Sequence, residues 1–98
     1  MAKKASRTKA ADPSTMFRLL ADPKRLRTIQ LLAANRRGLL AGEIASALRV
    51  EQSTASHLLG MLHDHDVVIF KKEGRTVRYL ISAAPATKTL LRVIRAAA

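Results

Sequence analysis

The stretch LLAGEIASALRVEQSTASHLLGMLHDHDVVIFKKEGRTVRYLI, which spans residues 39–81, decides the fold. Its apolar spacing predicts a short amphipathic helix over about Ala41–Leu48, a polar turn at Arg49–Glu51 and a second helix over about Gln52–His63. Two β-rich runs joined by a basic turn follow. A helix-turn-helix that continues into a β-hairpin, or wing, is an arrangement suited to lie on duplex DNA.

Each helix of this stretch has one apolar face. The apolar faces consist of Ile44, Ala45 and Leu48 on the first helix and Ala55, Leu58, Leu59 and Leu62 on the second. The opposite face of the second helix has Gln52, Ser53, Ser56 and His57 at helical spacing. Small hydroxyl and amide side chains at a helix start can reach phosphates and base edges, which predicts DNA contact. The alternative is that these residues only cap the helix.

The hairpin is predicted from composition. Val67–Phe70 is a β-rich run, Lys71–Arg75 is a turn with Gly74 at the reversal, and Thr76–Ile81 alternates apolar and polar residues. The basic side chains expected to contact phosphates or enter a minor groove are Lys71, Lys72, Arg75 and Arg78. The alternative is a charged, solvated hairpin without a partner.

Helices are also predicted on both sides of this stretch. Asp12-Pro13 and Asp22-Pro23 each place an N-cap Asp before a Pro at the first helical position, so a helix starts at each. A last helix is predicted over about Ala86–Ala96. The fold class is mainly α with a small β-hairpin, a winged helix-turn-helix of five helices and a two-stranded wing. It forms one domain over residues 12–98, and residues 1–11 are predicted to be a flexible basic tail.

Size and charge limit the classes of function. The chain has 98 residues, enough for one small domain, and a formal net charge of +11 at pH 7. This charge favours a polyanion as partner, nucleic acid first, although an anionic membrane or an acidic protein fits it equally well. The absence of cysteine excludes disulfides and zinc–thiolate sites. No apolar run approaches the ~20 residues of a membrane span and no signal-peptide core is found, so we expect a cytoplasmic protein without a membrane partner.

Neither a catalytic site nor a metal site is predicted. Ser53 and Ser56 are close to His57 in the sequence, but no oriented base or oxyanion hole accompanies them, so we expect no enzyme activity and no cofactor. The run His63–Asp66 contains residue types that ligate metals. Because residues i and i+2 of a helix do not share a face, a solvated helix end is the favoured interpretation of this run.

Three blocks of the sequence resemble the ArsR/SmtB family of winged-helix transcriptional repressors. The blocks are LLADPKRLRTIQLLA, GEIASALRVEQSTASHLLGML and VVIFKKEGRTVRYLI, within about Met16 to Ile81. The first resembles the family's ADPxRLxIL signature, the second its recognition-helix segment and the third its strand-GR-strand wing. The resemblance implies a homodimeric repressor that binds a palindromic operator in double-stranded DNA and that an inducer releases.

The resemblance also implies roles for particular residues. Gln52, Ser53, Thr54, Ser56 and His57 would lie at the major groove, and Lys72, Gly74 and Arg75 would form the wing tip. The first and last helices would pair the two subunits. The apolar residues expected in that pairing are Met16, Phe17, Leu20, Leu90, Leu91 and Ile94.

The sequence departs from the family pattern at several positions. Leu40, Ala41 and Gly42 stand where many members have metal-binding cysteines, and the last helix lacks the Asp and His ligands of other members, so a metal-independent member is expected. Leu40 and Glu51 replace hydroxyl caps, at a cost of ~1 kcal/mol each. Asp66 stands where Gly commonly closes the recognition helix, and Asp tolerates the left-handed conformation.

The sequence therefore predicts a sequence-specific, homodimeric, metal-independent DNA-binding repressor. Two alternatives remain open at this point. One is a nonspecific DNA-coating or architectural protein, which the charge and the basic tail suggest. The other is a sensor of the same family that responds to a small molecule in an apolar pocket between the first and last helices.

Overall fold

The computed structural model describes residues 12–97, in which five helices surround a small antiparallel sheet. The elements are α1 (Pro13–Ala21), α2 (Pro23–Ala34), β1 (Leu39–Leu40), α3 (Ala41–Leu48), α4 (Gln52–Asp64), β2 (Val68–Glu73), β3 (Thr76–Ile81) and α5 (Pro85–Ala97). This confirms the predicted winged helix-turn-helix, in which α3 and α4 form the helix-turn-helix and β2 and β3 form the wing. The predicted basic tail lies outside the described residues.

The Asp–Pro pairs start α1 and α2 as predicted. The Asp12 carboxylate accepts a hydrogen bond from the Thr15 N–H at 3.2 Å, and the Asp22 carboxylate accepts one from the Arg25 N–H at 3.0 Å. The Ser14 hydroxyl and the Thr15 N–H donate to Asp12 and hold the pKa of its carboxyl below its usual range. The stabilisation from this cap is therefore fully present above the ordinary pKa of an Asp carboxyl and is lost as the pH falls through the lowered pKa.

The helix-turn-helix starts without side-chain caps, as the sequence indicated. Leu40 and Glu51 make no capping hydrogen bond from their side chains. At α3 the loss is partly offset, because the Glu43 carboxylate accepts from the Leu40 N–H at 2.8 Å. Arg49 ends α3 in the left-handed conformation with φ 59°, which no local pattern indicated, and Asp66 adopts the expected left-handed conformation with φ 61° after α4.

The core lies between the inner faces of the helices and the base of the wing. The predicted inward positions of α3 and α4 are all buried. The largest fully buried apolar side chains are Ile29, Leu32, Ile44, Leu59, Leu62, Val67, Val68 and Leu90. These aliphatic contacts hold one side of α4 against the core, so the opposite side of the helix is exposed to solvent and can contact a partner.

The wing is longer than the sequence indicated. The interpretation of Lys71–Arg75 as a turn is wrong for its first three residues, because β2 continues through Glu73, which pairs with Thr76. Only Gly74 and Arg75 form the reversal, and Gly74 has φ 65° while Arg75 does not have a positive φ. This is the pattern of a two-residue II′ hairpin turn, whose twist matches that of the paired strands.

A third strand, β1, was not predicted. Leu39 pairs with Tyr79 and Leu40 with Arg78, which gives the sheet order β1-β3-β2. This pairing ties the start of the helix-turn-helix to the wing, and the described residues form one antiparallel sheet.

A buried polar cluster joins the end of α4 to the start of α5. The Ser82 and Thr87 hydroxyls lie 2.6 Å apart. Both lie within hydrogen-bond distance of the Asp66 carbonyl oxygen, at 2.7 Å and 3.2 Å. Ser82 is 7% exposed and Thr87 is fully buried, so the cluster satisfies polar groups that water does not reach.

We expect Thr87→Val to lower the free energy of unfolding by about 1–2 kcal/mol, because it keeps the shape but removes a buried hydroxyl from this cluster. The matched control is Thr89→Val on the exposed side of α5, where the hydroxyl donates to the Pro85 carbonyl at 3.1 Å. Urea unfolding of both variants measures the difference. Equal stabilities for the two would contradict a structural role for the cluster.

Candidate nucleic-acid interface

The exposed side of α4 contains four of the five side chains predicted to lie at the major groove. Gln52, Ser53, Ser56 and His57 are exposed. Thr54 is half-buried, because it lies next to the apolar face that packs on the core. The side of α4 that faces away from the core is therefore polar and open over its first two turns.

A cleft of about 690 Å³ separates the start of α4 from the wing. Gln52 and Ser56 line it from α4, and Arg75 lines it from the hairpin turn. The start of α3 forms its base, where the Gln52 side-chain oxygen would lie 3.6 Å from a Cβ placed on Gly42. The recognition residues and the wing tip thus face one shared concave surface.

The two wing lysines lie on opposite faces of the hairpin. Lys72 pairs with Val77 and shares a face with Phe70, whose ring centre is 5.0 Å from that of His63 on α4. Lys71 pairs with Arg78 on the other face. Only Lys72 therefore lies on the face of the wing that is turned to α4.

Arg78 is engaged within the protein. Its guanidinium lies 3.0 Å from the Glu73 carboxylate and donates to the Gly38 carbonyl at 3.2 Å. The hydrogen bond to Gly38 holds β3 against the segment before β1. The ion pair joins β3 to β2, although an exposed ion pair of this kind stabilises a protein little. Arg75, at the turn, is exposed and lines the cleft.

An aromatic contact that the sequence analysis did not identify sets the wing against α4. The Phe70 ring lies 5.0 Å from the His63 ring and 6.2 Å from the Tyr79 ring, in tilted arrangements. The signal in the sequence was Phe70 itself, a large apolar residue on a strand that is only half covered. It is 48% exposed, so its role is to brace the wing rather than to fill the core.

The histidines and aspartates at the end of α4 and just after it, His63–Asp66, do not converge. A His65 ring nitrogen lies 3.0 Å from the Met61 carbonyl oxygen, while His63 contacts Phe70. Within residues 12–97, no group of three or more His, Asp or Glu side chains is arranged to hold a metal ion. Over the same range, no helix combines the length and apolarity needed to cross a bilayer.

The residues predicted to pair the subunits fall into two groups. Met16 and Leu90 are 8% and 0% exposed and pack in the core of the protomer. Phe17 is 61% exposed, and Leu20, Leu91 and Ile94 are half-buried. An apolar groove of about 250 Å³ runs between α1, α2 and α5, lined by Leu20, Leu26, Gln30, Val93, Ile94 and Ala97.

This arrangement of helix-turn-helix, exposed polar helix and wing defines the winged-helix class, whose members place the second helix of the motif in a DNA groove.

Proteins that are similar to the chain in sequence belong to the same class. The chain is 36% identical over 73 residues to the transcriptional repressor SmtB homolog of Synechocystis sp. PCC 6803, covering 74% of this chain and 54% of that protein. It is 38% identical over 80 residues to the HTH-type transcriptional regulator Rv0081 of Mycobacterium tuberculosis, covering 81% of this chain and 68% of that protein.

Solved structures give the same result. The crystal structure of Rv0081 has a TM-score of 0.73 at 35% identity, covering 87% of this chain and 83% of that one. The homodimeric winged helix-turn-helix domain of Mb0332 from Mycobacterium bovis, a possible ArsR-family regulator, has a TM-score of 0.75 at 24% identity, covering 98% and 82%. None of the protein-family models compared with the chain matches it.

The chain belongs to the ArsR/SmtB family of winged-helix transcriptional regulators, as its motifs indicated. It spans about half the length of the SmtB homolog and about two thirds that of Rv0081. The relatives and the fold are those of transcriptional regulators rather than enzymes.

Proposed function

We propose that the protein is a homodimeric, sequence-specific, metal-independent repressor that binds a palindromic operator in double-stranded DNA. The observation that supports this best is the shared cleft, in which Gln52 and Ser56 of α4 face Arg75 of the wing. A helix in the major groove supplies base contacts, and a basic wing beside it supplies phosphate contacts. Because the proposed partner is chromosomal DNA, the proposed place of action is the cytoplasm.

The test is a footprint on the DNA upstream of the protein's own gene, with affinities for operator and random duplexes at one fixed salt concentration. We expect a protected site with two-fold symmetry and an affinity at least about 10³-fold above that for random DNA. Equal affinities for operator and random DNA would favour a nonspecific DNA-coating protein instead, since a net charge of +11 alone supports nonspecific binding.

The dimer is proposed from the apolar surface that α1 and α5 leave uncovered. Phe17 is the most exposed large apolar side chain of the described residues, and the neighbouring groove has no charged residue in its lining. A second copy that covers α1 and α5 would bury both features, as in two-fold dimers with self-complementary patches.

We expect sedimentation to show a dimer at about ten micromolar, and Phe17→Ala to weaken the dimer about 10- to 100-fold, because exposed aromatic residues often dominate such interfaces. The matched control is Ile69→Ala on β2, which removes another exposed apolar side chain, 44% exposed, away from α1 and α5. A monomeric wild type at this concentration would contradict the proposal, as would equal effects of the two substitutions.

Zinc and EDTA should leave operator affinity within about twofold. The reason is that metal affinity requires three or more converging ligands, which residues 12–97 do not bring together. The measurement is an operator titration with micromolar zinc or with EDTA, on the wild type and on His63→Ala/His65→Ala. A tenfold change that disappears in the double variant would contradict metal independence.

A further inference from the structure

A second groove, on the other flank of Ile94, differs from the uncharged one in having arginines at its edge. It has a volume of about 300 Å³ and lies between the end of α2 and α5. Its lining includes the apolar side chains of Ala33, Leu91 and Ile94, with Arg36 and Arg95 beside them. An apolar surface next to two guanidinium groups forms an amphipathic site.

The two arginines are available for an anion. Among residues 12–97, the one ion pair joins Arg78 to Glu73, so no described carboxylate lies within 4.0 Å of Arg36 or Arg95. Both arginines are exposed, and α5 contains no acidic residue. A planar guanidinium offers paired N–H donors whose geometry matches a carboxylate, and it is less strongly hydrated than an ammonium group.

We propose that this groove is an effector site for a small amphiphilic carboxylate, whose apolar part packs on Ala33, Leu91 and Ile94 while its carboxylate meets Arg36 and Arg95. The volume is at the lower end of the range for ligand sites, which favours a ligand with a single ring or a short alkyl chain. Binding of a carboxylate in this groove does not depend on the proposed function, but the role of the groove as an effector site rests on that function.

Charge argues for this occupant rather than a second copy of the chain. Arg36 and Arg95 add two local positive charges to this groove, so a second copy, itself strongly basic with a net charge of +11, is repelled more here than at a surface without charged residues. The uncharged groove lined by Leu20, Leu26 and Val93 lies on the other side of Ile94 and is the better place for a second copy.

The position of the groove on α5 links it to the recognition helix. The first turn of α5 contains Thr87, whose hydroxyl is 3.2 Å from the carbonyl oxygen of Asp66, just after α4. A ligand wedged between α2 and α5 would therefore act on a helix that is hydrogen-bonded to the end of the recognition helix. Ligand binding changes operator affinity only by its preference for one arrangement of these helices.

The first experiment is a calorimetric titration of the full chain, without DNA, with benzoate and with its neutral isostere benzamide. We expect benzoate to bind with a Kd of about 0.1–1 mM, a range typical of so small a ligand, and at least tenfold more tightly than benzamide. Arg36→Ala and Arg95→Ala should each weaken benzoate about tenfold. The matched controls, Arg37→Ala in the same loop and Arg92→Ala on the exposed side of α5, remove the same charge outside the groove and should change the Kd less than twofold.

Two results of the titrations with the arginine variants and with increasing protein concentration would overturn the site. One is equal loss of benzoate binding in all four arginine variants, which indicates nonspecific attraction to a basic protein. The other is benzoate binding that weakens as the protein concentration rises through the dimerisation range, which indicates that a second copy covers the groove. Ala33→Leu, which fills the groove and keeps every charge, should also abolish binding; retained binding would place the ligand elsewhere.

The second experiment repeats the operator titration with saturating benzoate. We expect the operator affinity to change at least fivefold for the wild type and not for Arg95→Ala. A change of less than twofold in the wild type would overturn the effector role while leaving the site. If no operator exists, the proposed function fails, and the titration without DNA still decides whether the groove binds the carboxylate.

Discussion

Gly38→Ala is expected to lower the free energy of unfolding by about 2–4 kcal/mol, a large part of the stability of a domain this small. Gly38 has φ 90°, where a residue with a Cβ is strained, and it is buried before β1. A Cβ there would lie 2.7 Å from the Tyr79 carbonyl oxygen and 2.8 Å from side-chain carbons of Arg78 and Leu80. One of these atoms, the Tyr79 carbonyl oxygen, belongs to the backbone of β3, so the steric clash is relieved only if the sheet moves.

The measurement is thermal and urea unfolding of Gly38→Ala beside Gly60→Ala, which is the same chemical change at an open position. A Cβ at Gly60, in the middle of α4, meets no atom within 4 Å, so this control should gain up to about 1 kcal/mol from helix propensity. The melting temperature of Gly38→Ala should fall by about 8–30 °C, from the usual conversion for a domain of this size. A loss below about 1 kcal/mol would mean that the segment before β1 is not held against the wing.

The parts of the fold that were predictable are those set by neighbours in the sequence. The Asp–Pro starts of α1 and α2 depend on a carboxylate three residues from the N–H it accepts from, so the sequence alone identifies them. The inner faces of α3 and α4 follow from apolar periodicity in the same way. The polar face of α4, and hence most of the candidate site, follows from the remaining positions of the helix.

The features that were missed depend on partners distant in the sequence. Lys71 and Lys72 have low β-propensity, yet they extend β2 because Arg78 and Val77 of β3 pair with them. β1 has only two residues and exists because β3 lies beside it. No local pattern marks Thr87 as buried, and its hydroxyl is buried because the Asp66 carbonyl oxygen, distant in the sequence, lies 3.2 Å from it.

The candidate site also has residues that the sequence predicts and spatial relations that only the structure shows. Helical spacing identified Gln52 and Ser56, whereas their relation to Arg75 across one cleft requires the packed wing. Grouping Lys71 with Lys72 treated the hairpin as one basic surface. Strand alternation separates them, so the structure, rather than the run of charges, determines which lysine lies beside α4.

Gln52→Ala and Ser56→Ala are expected to weaken operator binding by about 1–3 kcal/mol each and to leave binding to random duplexes nearly unchanged. Both side chains are exposed on the first two turns of α4 and line the cleft that faces the wing. Side chains in this position reach base edges, and a base-edge contact discriminates between sequences because a wrong base leaves its polar groups unpaired. The measurement is the affinity of each variant for operator and random duplexes over a series of salt concentrations.

Lys72→Ala and Arg75→Ala are expected to weaken binding to both duplexes alike. Each should also reduce the slope of log affinity against log salt concentration by about one unit, because a variant that contacts one phosphate fewer releases one counterion fewer when it binds. Lys71→Ala is the matched control, since it removes the same charge from the hairpin face that is turned away from α4. The salt slope of Lys71→Ala should differ from that of the wild type by less than the slope of Lys72→Ala does.

Equal losses of affinity for operator and random DNA in Gln52→Ala and Ser56→Ala would show that α4 only positions the protein. Base recognition would then have to come from another surface, with Arg75 at the wing turn as the first candidate, because an arginine can sense a narrow minor groove.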